Sequence, residues 1–107
     1  MKTYPNVRED GSIKAFSISN AFCWSLVIRK LLYSVEGVSE VRANWFSQDH
    51  YSFVYLGRDC VVNEPWGDND RYWIYPVDME PPLDLEPIHN AFRKFRFLFT
   101  FDREFRE

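Results

Sequence analysis

The densest grouping of chemically capable side chains is the stretch Glu64-Pro65-Trp66-Gly67-Asp68-Asn69-Asp70-Arg71-Tyr72-Trp73. Three carboxylates, two tryptophans and a tyrosine gather there around turn-forming residues. Aromatic plates beside carboxylates suit the capture of a cationic or hydroxyl-rich group. The plainer alternative is a connection whose Asp68 and Asn69 make local turn hydrogen bonds while the tryptophans pack back onto a sheet. On the first reading the binding residues are Glu64, Trp66, Asp68, Asp70, Tyr72 and Trp73. The same oxygens have the hardness calcium prefers. Their spacing does not follow the calcium-loop pattern, since Gly67 precedes the acids instead of following them. No metal site is expected.

Catalytic groups are sparse. His50 stands beside Asp49 and His89 beside Asn90, and neither belongs to a motif that pairs a nucleophile with a base and an orienting group. The chain has four glycines and no glycine-rich phosphate loop or nucleophile elbow. Cys60 with His50 across neighbouring strands is a conceivable pair, but a thiol among apolar neighbours is better read as a small buried hydrophobe. Acid–base work by Glu64 with Asp68 or Asp70 is open in principle. A small enzyme with a pocket around His50 and Glu64 is therefore the alternative to a binding role. No catalytic residue and no cofactor is expected.

Charge is distributed unevenly. The net charge is −3 over 107 residues. From Glu64 to Glu86 seven acids (Glu64, Asp68, Asp70, Asp78, Glu80, Asp84, Glu86) face Arg71 alone, a formal −6. From Arg93 to Arg106 five bases face two acids, a formal +3. Blocks of one sign steer partners of the other, or meet each other within the fold. The tail Arg93–Phe101 alternates phenylalanine with other residues, and such rings can stack on bases. An overall acidic domain opposes phosphate binding, so a nucleic-acid partner is not expected. The composition favours a non-catalytic module whose acidic, aromatic surface meets a protein partner, a basic one by charge. In size and composition it is similar to small immunity and inhibitor proteins, which cover basic enzymes or mimic charge. A homodimer with a structural role is a third possibility.

These side chains need elements to position them. Asp10-Gly11 predicts a hairpin between Thr3–Arg8 and Ser12–Ser17, with Pro5 marking an edge strand. From Ser19 the period changes: Phe22, Trp24, Val27, Ile28, Leu31, Leu32 and Val35 recur at helical spacing. Ser19 or Asn20 would cap this long helix, and Gly37 suits its left-handed stop. Val38–Phe46 alternates as a half-buried strand. Tyr51–Leu56 and Asp59–Glu64 are expected as a hairpin about Gly57-Arg58, with Tyr55 opposite Cys60 and Phe53 opposite Val62. Arg71–Tyr75 forms a further strand, and Pro76, Pro81 and Pro82 end the sheet. Asp84 would cap a second, shorter helix from Leu85 to about Phe95, its inner stripe being Ile88, Ala91, Phe92 and Phe95. A final strand is expected beyond it.

The expected architecture is one α+β domain: an antiparallel, meander-rich sheet with a long N-terminal helix on one face and a shorter C-terminal helix. Nearly half the residues are hydrophobic, enough for a core. The apolar run Ala21–Ile28 falls far short of the ~20 residues of a membrane helix, and Met1–Asp10 does not read as a secretory signal. Cys23 and Cys60 lack metal or redox spacing, so reduced thiols and a cytoplasmic location are expected.

Overall fold

The computed structural model describes residues 2–19, 25–43, 49–63 and 71–95. Their elements are β1 (Thr3–Val7), β2 (Ile13–Ser19), α1 (Ser25–Tyr33), β3 (Val38–Ala43), β4 (Asp49–Tyr55), β5 (Arg58–Asn63), β6 (Arg71–Pro76) and α2 (Glu86–Lys94). The strands form one six-stranded sheet in the order β1-β2-β6-β5-β4-β3, antiparallel throughout. The α+β class and the meander β3 to β6 follow the sequence reading. The hairpin β1–β2 completes the sheet by docking its second strand on the last strand of the meander.

That hairpin turns as the sequence requires. Gly11 has φ +90, and the Asp10 carboxylate accepts hydrogen bonds from the Ser12 amide at 2.9 Å and the Ser12 hydroxyl at 2.7 Å. These bonds lower the Asp10 pKa below its ordinary value. Pro5 lies on β1, an edge strand, where a missing N–H costs nothing.

The long N-terminal helix does not form as expected. Ser19, one of the two residues expected to cap it, is the last residue of β2 and pairs with Arg71, while Asn20, the other, lies outside the described residues. The alternation of Phe16 and Ile18 with Ser17 and Ser19 carries the strand two residues past Ser17, because β6 offers a partner for it. α1 has nine residues and lies mid-chain. The expected helical residues 20–24 lie outside the described residues, as does the strand expected after Phe95. Helical spacing does hold inside α1, where Ile28, Leu31 and Leu32 are buried. Gly37, with φ +97, stands four residues after the helix and turns the chain into β3. A Cβ there would lie 2.8 Å from Leu56 Cδ2.

The β4–β5 hairpin also differs in detail. Its loop is Leu56-Gly57, with φ +52 and +79, so both central residues are left-handed as in a type I′ turn. Tyr55 therefore pairs with Arg58, Phe53 with Cys60 and Tyr51 with Val62. This register is two residues from the expected one. A slip of two preserves the side-chain faces, so Phe53, Tyr55, Cys60 and Val62 still share one.

On that inner face a row runs across five strands: Phe16, Ile74, Val62, Tyr51 and Ala43. Ile28 and Leu32 of α1 and Ile88 and Phe92 of α2 close over it in a single core. Both helices thus lie on one side of the sheet. Asp84 sits one residue before the N-cap of α2, which is Leu85. Its carboxylate accepts from the Glu86 amide at 3.0 Å and from the Ile13 amide at 2.9 Å, tying the helix start to β2.

His89 fastens the other side of α2. A 2.7 Å hydrogen bond joins its Nε2 to Thr3 Oγ1 on β1, and its ring meets Phe16 edge-on at 5.1 Å. Burial and, after it, the charge of Arg93 hold the His89 pKa below the ordinary imidazole value. Below about pH 6.5 the unfolded chain takes up a proton that the folded one resists, so stability declines as the pH falls through that window. We expect urea unfolding at pH 8 and pH 5 to show a larger acid loss for the wild type than for His89→Gln. One proton sets a ceiling of about 1.4 kcal/mol per pH unit on that difference. Equal losses in the two proteins would show that His89 does not carry it.

Candidate functional site

Strand alternation decides what the aromatic stretch can do. Tyr72 pairs with Ile18 and leans on the core, on the helix side of the sheet. Trp73 points to the opposite side, between Ser17 of β2 and Asn63 of β5. The two aromatic residues expected to act together therefore stand on different faces. Glu64, Trp66, Asp68 and Asp70 lie outside the described residues. By connectivity their segment links Asn63 at the end of β5 to Arg71 at the start of β6.

No described helix or strand packs over the face that carries Trp73. Tyr4, Trp73 and Tyr75 lie half-buried on it, at the side of the sheet where β1, β2 and β6 adjoin. The Arg71 guanidinium stacks 3.8 Å from the centre of the Tyr4 ring. Beneath these rings the small side chains of Ala15 and Ser17 are buried. The Ser17 hydroxyl has no hydrogen-bond partner there, an arrangement that costs free energy in a folded chain.

Farther along the same face the meander forms an open concavity of about 320 Å³. Ser52 and Val54 of β4 supply its floor, Glu40 and Arg42 of β3 one wall, and Asp59 and Val61 of β5 the other. Sequence reading missed this group. Glu40 and Asp59 come together only through the register of three strands, and no short motif encodes that.

Glu40 owes its position to a bulge. Ser39 pairs with Val54 and Arg42 with Ser52, so Glu40 and Val41 together oppose Phe53. Glu40 is left-handed, with φ +52. The Val41 amide donates to the Tyr33 hydroxyl of α1 at 3.2 Å. The Arg42 guanidinium lies 3.5 Å from the Glu40 carboxylate, an exposed ion pair.

The connection after β6 carries exposed acids. Asp78, Glu80, Asp84 and Glu86 all face solvent. Arginines hold this connection through its backbone: Arg58 donates to the Asp78 carbonyl at 2.8 Å and Arg8 to the Leu83 carbonyl at 3.2 Å.

The alternative site draws on residues not described together. The backbone of His50 lies in β4, while its side chain and Glu64 lie outside the described residues. Among the described residues no group of three His, Cys, Asp or Glu side chains is placed to hold a metal ion. No helix of the described residues is long and apolar enough to cross a membrane. Cys60 is a free, fully buried thiol in the inner face, between Phe53 and Pro76. Burial pushes its pKa up to about 12, the reverse of what a nucleophilic thiolate needs.

Compared with protein-family models, with curated proteins and with solved structures, the chain matches none.

Cys60 should therefore be inert in the folded protein. Iodoacetamide at pH 8, followed by peptide mapping, is expected to leave the Cys60 peptide unlabelled in buffer and to label it fully in urea. Rapid labelling in buffer would mark a thiolate accessible from solvent and reopen a catalytic role.

Proposed function

We propose that this domain is a non-catalytic protein-binding module that holds a basic partner against the open face of its sheet, as small immunity and inhibitor proteins do. The observation that carries the reading is the sidedness of the sheet. Both helices cover one face, and the other presents Tyr4, Trp73 and Tyr75 with no described element over them. Tryptophan and tyrosine anchor interfaces because each buries a large area while ordering few torsions.

Charge supplies the partner's sign. Three of the acids between Glu64 and Glu86 belong to the segment that enters β6 beside Trp73, and four stand exposed after it. Arg71, the one base of that stretch, has its guanidinium over Tyr4. The exposed acids on the connection that leaves β6 speed the approach of a basic surface and disfavour acidic ones. Capture rather than chemistry also suits a buried, proton-holding thiol at Cys60.

The test is a paired capture from native lysate with the wild type, Trp73→Ser, and the double variant Asp78→Asn with Glu80→Gln. The wild type should retain a basic protein at low salt and lose part of it at moderate salt. Trp73→Ser should lose it while keeping the wild-type circular dichroism, and the charge variant should retain less at each salt. Equal recovery by all three proteins would overturn the reading. So would a wild-type dimer in light scattering that Trp73→Ser dissolves, since a second copy would then occupy the face.

A further inference from the structure

We infer that the end of the sheet where β1, β4 and β6 finish docks an amphipathic basic segment of the protein partner. Its apolar centre is Leu56, Val77 and Met79. This rests on the binding reading above and adds a second contact region with the kind of segment it takes.

Topology gathers the apolar side chains. Among the described residues the large exposed hydrophobic side chains are Val7, Tyr33, Leu56, Val77 and Met79. Scattered singly, such residues need no explanation. Strand direction brings four of them to one end of the sheet: Val7 closes β1, Leu56 turns β4 into β5, and Val77 and Met79 follow β6. Tyr33 differs, since its hydroxyl already accepts from the Val41 amide. The Val77 amide donates to the Asp59 carbonyl at 2.9 Å, and Arg58 donates to the Asp78 carbonyl at 2.8 Å. The connection after β6 therefore runs beside the β4–β5 turn, and Leu56, Val77 and Met79 project from adjoining segments.

Leu56 is also an unsuitable residue for its own turn. Asparagine before glycine fits a type I′ loop best, because asparagine accepts the left-handed region that leucine resists. Leu56 holds φ +52 there with 61% of its surface exposed. Its Cδ2 lies over Gly37, and most of the side chain is left to solvent. An exposed leucine that breaks the local rule gives the fold little and suits a side chain kept for contact.

Charge fixes the sign of the occupant. The four connections at this end are residues 8–12, 34–37, 56–57 and 77–85. They hold six acids (Glu9, Asp10, Glu36, Asp78, Glu80, Asp84) and one base, Arg8, a formal −5. The whole chain carries −3, so everything else sums to +2. All six acids are exposed, whereas the Arg8 guanidinium donates to Ser12 Oγ at 3.0 Å and to the Leu83 carbonyl at 3.2 Å. Acids around an apolar centre match a segment that carries leucine-like side chains among lysines or arginines. They repel nucleic acid, anionic lipid and a second copy approaching end to end. The connections are also tied together: Arg8 holds Leu83, and the Leu56 amide donates to the Gly37 carbonyl at 3.0 Å. Such ties leave less ordering to be done on binding.

The experiment follows backbone amide shifts by NMR as an amphipathic leucine–lysine peptide is added at low and at moderate salt. The same peptide with glutamate for lysine tests the charge, and with serine for leucine the apolar face. Saturable shifts at Leu56, Gly57, Val77 and Met79 are expected with the leucine–lysine peptide and none with the glutamate one. The serine peptide should bind at least about tenfold more weakly. Leu56→Asn should weaken binding about five- to tenfold while raising the urea midpoint, which separates lost contact from misfolding. Val77→Thr with Met79→Gln should act in the same direction with unchanged circular dichroism. Asp78→Asn with Glu80→Gln should weaken binding more at low salt than at moderate salt. Shifts centred elsewhere, equal binding of the serine peptide, or indifference to Leu56→Asn would each overturn the inference. So would shifts at these amides on concentrating the domain alone, which would make a second copy the occupant. Tighter binding to phosphatidylserine vesicles than to phosphatidylcholine ones would likewise overturn it in favour of lipid. In the lysate capture, loss with Trp73→Ser but not with Leu56→Asn would remove this surface and leave the binding reading standing. Loss with Leu56→Asn but not with Trp73→Ser would keep this surface and remove the sheet face from that reading.

Discussion

The pairing of β2 with β6 is the contact on which the rest of the molecule depends. Phe16 opposite Ile74 and Ile18 opposite Tyr72 join the amino-terminal hairpin to the carboxy-terminal end of the meander, more than fifty residues away in sequence. Without that seam neither part has enough apolar surface to close a core, because a lone hairpin is marginal in water. With it, one inner face extends from Phe16 to Ala43, and each large side chain buried there contributes about 1.5–3 kcal/mol. Both helices are then committed to that face. α2 meets α1 and the β1–β2 hairpin, while α1 also meets β3, so together they bridge the sheet from edge to edge.

What was legible in the sequence was local. Asp10-Gly11 marked the first hairpin because the turn and its Asx hydrogen bonds lie within three residues. Proline at 5 marked an edge, and Ile88 and Phe92 marked the buried stripe of α2. Errors arose where a local preference met a partner it could not know about. Ser19 suits a helix cap and the end of a strand alike; Arg71 across the sheet decided for the strand. Leu56 is a poor choice for a left-handed position, so the turn was placed one residue late. Asp84 read as a cap for α2 but also receives the Ile13 amide, a partner 71 residues away. The candidate site was the least legible. Tyr72 and Trp73 are adjacent in sequence and opposite in space, while Glu40 and Asp59, nineteen apart, share a concavity.

Strain is not spread evenly over the described backbone. Two non-glycine residues are left-handed, and the sheet accounts for each in a different way. Leu56 sits where a two-residue hairpin must turn with positive φ to match strand twist. Glu40 sits on a strand, where the extra residue bends β3 and redirects a carboxylate. Its conformation persists because its surroundings fix it on both sides: β4 sets the register before and after it, and Tyr33 takes the amide that the bulge releases. A device assembled from a helix hydroxyl, an edge strand and its neighbour is a feature of the whole fold and not of a loop.

Both edges of the sheet are interrupted. A six-stranded sheet ending in exposed strands invites another chain to add on through its backbone. On β1 the edge carries Pro5 and a register break at Asn6 and Val7, and on β3 it carries the bulge at Glu40. Each interrupts the regular row of free donors and acceptors that strand addition requires. The broad face between them is regular and rich in aromatic and aliphatic side chains. With both edges blunted, the backbone pairing that any extended chain can offer is hindered at either end of the sheet.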